Sequence, residues 1–261
     1  MSTSRPVQPP PSADRWAEER SGWVIPQEIL EAASEPPPGF DVGQFARAAQ
    51  RALGEETPSR QAARAALADG GSVLDVGCGA GAAGLPLAPP AARVIGVDAD
   101  ADMLAAFAED ADARGVAHHE IHGRWPAVAD QAPRVDVAVC HSVFYGVSEL
   151  VPFIRELTAH ARARVVVQLP ERPPRSWLRP YFQALHGLTL PEGPTADDAA
   201  AVVSEAGFDV HVERWDRPMR ESGSETTASN RCAGVCASGP PGTPRSASCS
   251  SANPRRRRGA P

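Results

Sequence analysis

Residues 73–81 read VLDVGCGAG, a short apolar run that leads into three alternate glycines. This run predicts a buried strand, because Val73, Leu74 and Val76 put apolar side chains on both of its faces. The glycines at 77, 79 and 81 predict a loop with positive φ angles, where the backbone can approach a ligand closely. We expect a helix to begin after this loop. A strand, a glycine loop and a helix in this order are typical of nucleotide-binding α/β proteins.

The loop alone does not identify the ligand, since the glycines also satisfy the dinucleotide fingerprint G-x-G-x-x-G/A, once from Gly77 and once from Gly79. Asp98 follows about 20 residues further on, where a carboxylate can accept both hydroxyls of an adenosine ribose. Asp75 lies two residues before the first glycine, where it would repel a pyrophosphate and attract a cationic amino group. This charge argues against a dinucleotide.

Downstream, β-branched runs alternate with Ala-rich segments, a pattern that predicts a largely parallel sheet with helices on both faces and right-handed crossovers. Strands are expected at 73–76, 94–97, 119–122, 135–140, 165–169 and 208–215, and helices at 101–113, 149–160 and 195–206. Ligands of such sheets bind at the carboxyl ends of the strands.

The chain divides into segments of different composition. A Pro/Ser-rich start predicts disorder, four helical patterns predict an N-terminal helical cap, and a Pro-rich insertion precedes the last predicted helix. The expected boundaries are 1–12 for the disordered start, 13–69 for the cap, 70–220 for the α/β domain, 170–194 for the substrate-side insertion, and 221–261 for the tail.

The tail from residue 221 contains Val235 as its only large apolar side chain, which predicts disorder. We shifted the reading frame so that each codon starts on the old third base, and took the undetermined base as G or C. In this frame residues 231–253 re-read as LRRRLRVGPAGDPAVRELLERE. That segment has the leucine spacing that the printed tail lacks. We therefore interpret the tail as the product of a frameshift; an ordinary disordered tail is the alternative.

The charged residues restrict the function. All 26 basic residues are Arg, and the absence of Lys excludes Schiff-base, P-loop and Ser-Tyr-Lys mechanisms. The formal net charge is −6, and residues 1–220 hold 20 Arg against 30 acidic residues. Because so acidic a body repels phosphate backbones, we expect no nucleic-acid partner, and the Arg run at 255–258 is not interpreted as a binding patch.

No apolar run approaches the roughly 18 residues of a membrane span, and the N-terminus lacks the apolar stretch of a signal peptide. We expect a cytoplasmic protein without a membrane partner. The five cysteines show no disulfide framework, and His118, His119 and His122 have no acidic or Cys ligands at a suitable spacing. No metal is predicted.

The motif at 74–81 resembles the first motif of class I S-adenosylmethionine-dependent methyltransferases, hydrophobic-x-D-x-G-x-G-x-G. Further segments, WVIP at 23–26, GRWP at 123–126 and DVAVCHSVFY at 136–145, resemble a group of small actinobacterial methyltransferases of unassigned substrate. The resemblance covers residues 15–220. It implies a Rossmann-like methyltransferase sheet and an S-adenosyl-L-methionine cofactor.

The resemblance also implies cofactor contacts. Those of the methionine and sulfonium parts lie in the glycine loop and at the end of the fourth strand: Asp75 near the amino group, Gly77, Cys78, Gly79, Gly81, Cys140 and His141. Those of the ribose and adenine are Asp98, Ala99, Met103 and a closing loop of Gly123, Arg124 and Trp125.

His141 and Tyr145 are the candidate catalytic residues, although methyl transfer from a sulfonium is an in-line displacement that often needs positioning alone. Each could instead be a packing residue. Gln168 stands where the fifth strand of the family often ends in Glu, a departure that bears on the acceptor. The family sheet closes with a seventh strand between the fifth and sixth, which we expect to be missing after Trp215; the frameshift would explain its loss.

The predicted function is methyl transfer to an unidentified acceptor, most simply a small molecule. Three alternatives remain open: a SAM-binding but inactive or truncated product, an NAD(P)-dependent oxidoreductase, and a methyltransferase of RNA or protein. The missing Lys and the charge of Asp75 argue against the oxidoreductase, and the acidic body argues against RNA.

Overall fold

A computed structural model describes residues 11–33, 41–218 and 229–238. Its centre is a seven-stranded sheet in the order β3-β2-β1-β4-β5-β7-β6. The strands are β1 Ser72–Val76, β2 Arg93–Asp98, β3 Ala117–His122, β4 Val135–His141, β5 Ala161–Pro170, β6 Asp209–Pro218 and β7 Ser229–Ser238. The first five are mutually parallel, which confirms the predicted α/β class.

Eight α-helices surround the sheet in the described residues. They are α1 Pro11–Ser21, α2 Gln27–Glu31, α3 Val42–Ala52, α4 Pro58–Arg64, α5 Ala101–Ala113, α6 Leu150–His160, α7 Arg179–His186 and α8 Ala196–Glu205. Both faces of the sheet are buried, since Val73 and Leu74 of β1 pack in different core clusters. This two-sided burial is why the strands read as continuous apolar runs.

The segment after β1 differs from the expectation of a helix. It contains a single turn of 3-10 helix at Leu85–Leu87, and the chain then continues to β2 without an α-helix. Pro86, Pro89 and Pro90 explain the difference, because a proline inside a helix removes a hydrogen bond and clashes with the preceding turn. The glycine loop is therefore held by turns and by β1 and β2.

The helices of the predicted N-terminal cap divide between the two faces of the sheet. Helix α1 packs on α8 and α6, and Trp16 is fully buried there. Helices α3 and α4 lie on the opposite face, where α3 contacts α5 and α4 contacts β5. Residues 11 and 12, predicted to be disordered, begin α1, and residues 1–10 lie outside the described part.

The prediction that the seventh strand is missing is wrong. Strand β7 lies antiparallel between β5 and β6, and Val235 pairs with Val167 on one side and with Val212 on the other. The prediction counted large apolar side chains, whereas a ladder is made by backbone groups that small residues also supply. Residues 229–238 thus belong to the sheet. The rest of the tail, 219–228 and 239–261, lies outside the described residues, and the frameshift stays a prediction.

Across the described ranges, none of the helices has both the length and the apolar character that a membrane span requires.

Candidate functional site

Four polar side chains lie on one face of the sheet near the carboxyl ends of neighbouring strands: Asp98, Asp75, His141 and Gln168. The register places Asp75 beside Gly96 and Val139, so that Asp98 and His141 each follow two residues further on. His141 pairs with Gln168. Because side chains alternate along a strand, all four point to the face that carries α3, α4 and α5.

The glycine loop has the backbone that its sequence predicts. Gly77, Gly79 and Gly81 have φ angles of 70°, 51° and 87°. A β-carbon at position 77 would lie 2.3 Å from Val143, and one at position 81 would lie 2.4 Å from Leu85. Glycine is therefore required at these positions both by conformation and by close packing.

Cys78 faces the inside of this loop. Its side chain is buried, with Sγ 3.4 Å from the carbonyl oxygen of Gly79, and burial raises the pKa of the thiol well above its usual value. A buried thiol with a raised pKa is a poor nucleophile. The backbone of Cys78, which donates from its amide to the Val97 carbonyl, is the part that shapes the loop.

Asp98 ends β2 at the mouth of the loop and is half-buried. Its carboxylate accepts hydrogen bonds from the Gly79 amide at 2.8 Å and from the Asp100 amide at 3.0 Å, one on each oxygen. An ionised carboxylate offers about four lone-pair sites, so two remain for a ligand. The two amides fix the orientation of the carboxylate.

Asp75 lies beneath the loop and is fully buried. Its Oδ2 accepts from the Gly84 amide at 2.8 Å, while Oδ1 has no hydrogen-bond partner among the described residues. Burial raises the pKa of this carboxyl to about 7, against the opposing effect of the Gly84 amide and with a smaller contribution from the charge of Asp98. Asp75 holds the turn at Gly84, and its predicted contact with a ligand amino group stays a prediction.

The residues predicted for adenine surround the ends of β2 and β3. Ala99 is exposed, and its carbonyl accepts from His122 Nε2 at 3.1 Å. Gly123 donates from its amide to the Asp98 carbonyl at 2.8 Å, and the neighbouring Arg124 is exposed. Met103 is buried on the first turn of α5. These contacts hold the two strand ends together.

The side chain of Trp125 points toward α6 and not toward the ends of β2 and β3. Its ring is 8% exposed, donates from Nε1 to the Phe153 carbonyl at 3.2 Å and packs edge-on against His160. This indole fixes α6 to the core. Its predicted role over the adenine has no support from this geometry.

Cys140 and His141 end β4 with different surroundings. Cys140 is fully buried in the core cluster of the α6 face, whereas His141 is half-buried on the face of Asp98. Ser142 follows with a φ of 61° and donates from its amide to the Gln168 carbonyl at 2.7 Å. The ends of β4 and β5 are thereby joined next to His141.

Tyr145 has a packing environment. Its ring stacks on Trp16 with the centroids 5.8 Å apart, and its hydroxyl lies 2.8 Å from the Pro170 carbonyl and 3.2 Å from that of Glu171. Burial is the largest cause that raises the pKa of this phenol. The hydroxyl donates to the end of β5, an arrangement that suits a packing role, and the catalytic role of Tyr145 stays a prediction.

Two contacts of the site did not emerge from the sequence. The Ser59 hydroxyl of α4 donates to Oε1 of the buried Gln168 at 2.6 Å. Phe45 of α3 lies against the glycine loop at Gly79. The helical pattern could place Ser59 and Phe45 on helices, but the packing of α3 and α4 on this face depends on contacts distant in sequence.

In the part of the chain that the structure describes, no three His, Cys, Asp or Glu side chains are grouped so that they could share a metal ion.

Comparison with known proteins gives a family for the centre of the chain. Residues 73–164 match the methyltransferase domain family. No curated protein matches the sequence.

Solved structures share the fold at low identity. The YcgJ protein of Bacillus subtilis is 17% identical, with a TM-score of 0.54, and the match covers 74% of this chain and 100% of that one. A SAM-dependent methyltransferase from Aquifex aeolicus is 20% identical, with a TM-score of 0.51 and coverages of 76% and 98%. Magnesium protoporphyrin IX methyltransferase from Synechocystis PCC 6803, solved with bound SAH, is 16% identical, with a TM-score of 0.51 and coverages of 86% and 99%.

These matches agree with the parallel α/β sheet described above. Residues 73–164 match the model of a methyltransferase domain, and the sheet that contains them has the fold of the class I S-adenosylmethionine-dependent methyltransferases.

Proposed function

We propose that this chain binds S-adenosyl-L-methionine across the carboxyl ends of β1 and β2 and transfers its methyl group to a small-molecule acceptor. The observation that carries the proposal is the Asp98 carboxylate, oriented by the Gly79 and Asp100 amides at the mouth of the glycine loop. The Synechocystis enzyme of the same fold, solved with SAH, supports this choice of cofactor.

In this proposal Asp98 accepts both ribose hydroxyls, and the backbone of residues 77–81 lies along the methionine part. Ala99, Met103, Gly123 and Arg124 border the adenine. The cofactor supplies an electrophilic methyl group on a sulfonium. The protein then has to bind the two reactants, orient them in line and exclude water. Holding the reactants in this geometry by itself accelerates the reaction strongly.

The acceptor side of the proposed site is the end of β4 and β5. His141 lies there on the same face as Asp98, next to the buried amide of Gln168. We propose His141 as the group that takes the acceptor proton where the acceptor needs a base, since an imidazole titrates near neutral pH. The acidic charge of residues 1–220 supports a small molecule rather than a nucleic acid.

The oxidoreductase alternative has to be tested by binding. The buried Asp75, with a pKa of about 7, repels a pyrophosphate less than a permanently ionised carboxylate would. The absence of Lys still removes the usual proton-relay pair. NADH is therefore the ligand to compare with S-adenosylhomocysteine in the experiment.

The test is calorimetric titration of the purified chain with S-adenosylhomocysteine and, separately, with NADH. We expect binding of the first and none of the second. Asp98→Ala should weaken the first by about tenfold or more, because hydrogen bonds to a charged group contribute roughly 1.5–3 kcal/mol. Asp102→Ala, at an exposed carboxylate on the first turn of α5, is the matched control and should bind like the parent.

A folded chain that fails to bind S-adenosylhomocysteine, or that prefers NADH, would contradict the proposal. The chain could bind S-adenosylhomocysteine but form none of it from S-adenosylmethionine with any of a panel of small hydroxy, amino and thiol compounds. That result would favour the inactive alternative.

A further inference from the structure

Helix α7 and the turn before it carry large apolar side chains that the fold leaves uncovered. Trp177 lies in a single turn of 3-10 helix, and Tyr181 and Leu185 follow on α7. Their exposed fractions are 67%, 58% and 75%, and neither the turn nor α7 contains a buried residue. The apolar face of a surface helix normally packs on a core. These three side chains, here called the apolar stripe, face solvent instead.

The apolar stripe is ordered and held in place. Its members are four residues apart, which puts them on successive turns of one helix face, and the rings of Trp177 and Tyr181 meet edge to face with their centroids 6.2 Å apart. Arg179 fixes α7 to the chain that follows. Its Nε donates to the Leu190 carbonyl at 3.0 Å, and its Nη2 lies 3.5 Å from the Glu192 carboxylate.

The apolar stripe is large enough to support association. At their exposed fractions the three side chains offer roughly 300–450 Å² of surface on each copy of the chain. Exposed apolar patches of this size on a monomer are often functional. Two such patches that face each other would bury roughly half of the area of a standard protein interface, about 1,600 Å², and the exposed residues around them can supply more.

The spacing of the stripe is self-complementary. Trp177 precedes Tyr181 by four residues, and Leu185 follows it by four. In an antiparallel pair of α7 helices related by a two-fold axis, the two Tyr181 rings therefore meet at the axis, and Trp177 of each copy meets Leu185 of the other. A two-fold interface uses the same patch on both copies, so every contact away from the axis is made twice.

Charge also favours a contact through this segment. Residues 172–191 hold three Arg and no acidic residue, whereas residues 1–220 as a whole hold 30 acidic residues against 20 Arg. Two acidic bodies repel each other least where they meet through such a segment. In the antiparallel arrangement the exposed Arg172 and Arg175 of each copy approach the C-terminal end of α7 in the other, where the helix carbonyls carry partial negative charge.

We infer that the apolar stripe is the contact surface of a homodimer, in which the α7 helices of two copies of this chain pack antiparallel about a two-fold axis at Tyr181. The inference goes beyond the proposed function and is independent of it, because it uses no residue of the proposed cofactor site.

Sedimentation velocity of the full chain, from low to high micromolar concentration, measures the dimer. The parent should pass from monomer to dimer within this range, because small interfaces are typical of weak complexes. Tyr181→Asp should raise the dissociation constant by about tenfold or more, since it removes an aromatic pair and brings two like charges together at the axis. Leu53→Asp, the same change at another exposed apolar side chain, is the matched control and should dimerise like the parent.

A charge exchange tests the position of the axis. Tyr181→Arg should also impair self-association, because it again places like charges opposite each other. An equimolar mixture of Tyr181→Asp and Tyr181→Arg should dimerise again, since opposite charges then meet at the axis. Loss of dimer in both variants without recovery in the mixture would contradict the antiparallel arrangement.

A parent chain that stays monomeric over the whole concentration range would overturn the inference. Dimers that Tyr181→Asp leaves unchanged, or that Leu53→Asp weakens as much, would overturn it as well. A monomeric parent that sediments with vesicles of phosphatidylcholine and phosphatidylglycerol, where Tyr181→Asp does not, would assign the stripe to a lipid surface instead. If Tyr181→Asp does not fold, as judged by circular dichroism, Trp177→Ala decides, with an unchanged dissociation constant counting against the inference.

Discussion

Asp75 is a carboxyl group whose ionised form is destabilised by burial in the folded protein. It is fully buried, accepts one amide hydrogen bond from Gly84 and has a pKa raised to about 7. The usual pKa of an aspartate is 3.8, so the native state holds this proton over a range in which the unfolded chain has released it. The contribution of Asp75 to stability is therefore full below about pH 4, decreases up to about pH 7 and is constant above.

Asp75→Asn removes this titration and keeps an oxygen that can accept from the Gly84 amide. We expect the free energy of unfolding of the variant, relative to that of the parent, to rise between pH 4 and pH 7 by up to about 1.4 kcal/mol for each pH unit. Urea denaturation of both proteins at several pH values between 4 and 8 measures the difference. Parallel curves across this range would show that Asp75 is ionised in the folded protein.

Tyr145 tests whether a predicted catalytic residue is a packing residue. Tyr145→Phe keeps the ring on Trp16 and removes the hydroxyl from the carbonyls of Pro170 and Glu171. We expect the free energy of unfolding to fall by about 1 kcal/mol, the typical net value of a hydrogen bond, with no change in affinity for S-adenosylhomocysteine.

The other tyrosine of the chain, Tyr181, is 58% exposed, and Tyr181→Phe is the matched control with no expected loss of stability. A Tyr145→Phe protein of parental stability that had lost methyl transfer would restore the catalytic role.

Side chains were predictable from the sequence where the backbone alone positions them. Asp98 follows directly from the strand and the loop, and the structure orients it with two amides. Trp125 and Tyr145 were not predictable in the same way, because the core residues around them determine where their rings point. Their sequence context is the same whether a ring faces the ligand or the core.

The glycine loop is the element on which the site depends. Gly77→Ala would combine a φ of 70° with a β-carbon 2.3 Å from Val143. Gly115→Ala is the control, since its φ of 65° is similar and a β-carbon there would meet no described atom within 4 Å. The control should cost about 1–2 kcal/mol for the left-handed backbone, and Gly77→Ala should cost more and weaken binding of S-adenosylhomocysteine.

Thermal unfolding and calorimetry of both variants provide the measurement. Equal losses of stability in the two, with unchanged ligand affinity in Gly77→Ala, would mean that the contact with Val143 is unimportant.

At the level of elements, the parallel strands and α5 followed from local apolar patterns, and α5 has the predicted bounds Ala101–Ala113. Two elements did not follow from such local patterns. The helix expected after β1 is absent because prolines interrupt it. Strand β7 has no apolar pattern of its own, and its position depends on the free backbone groups of β5 and β6.

The β6 end of the sheet depends on β7, although the sequence of this strand has no apolar pattern. Within the described residues β6 pairs with β7 alone, and β5 has β7 as its partner on the side away from β4. A chain that ends after Ser238 should therefore stay folded and bind S-adenosylhomocysteine, whereas one that ends after Pro218 would expose the edge of β5 and leave β6 unpaired. Exposed strand edges promote aggregation.

Size-exclusion chromatography of the two truncated chains measures this difference. A monodisperse, ligand-binding chain ending at Pro218 would show that β7 is dispensable, and aggregation of both chains would show that residues beyond Ser238 are needed.

The central claim is that an adenosyl cofactor binds at the carboxyl ends of β1 and β2, and a crystal structure of the chain with S-adenosylhomocysteine tests it most directly. The account predicts the ribose hydroxyls within hydrogen-bond distance of the Asp98 carboxylate and the amino-acid part along residues 77–81. A ligand bound elsewhere, with the Asp98 carboxylate contacting nothing beyond the amides of Gly79 and Asp100, would contradict it.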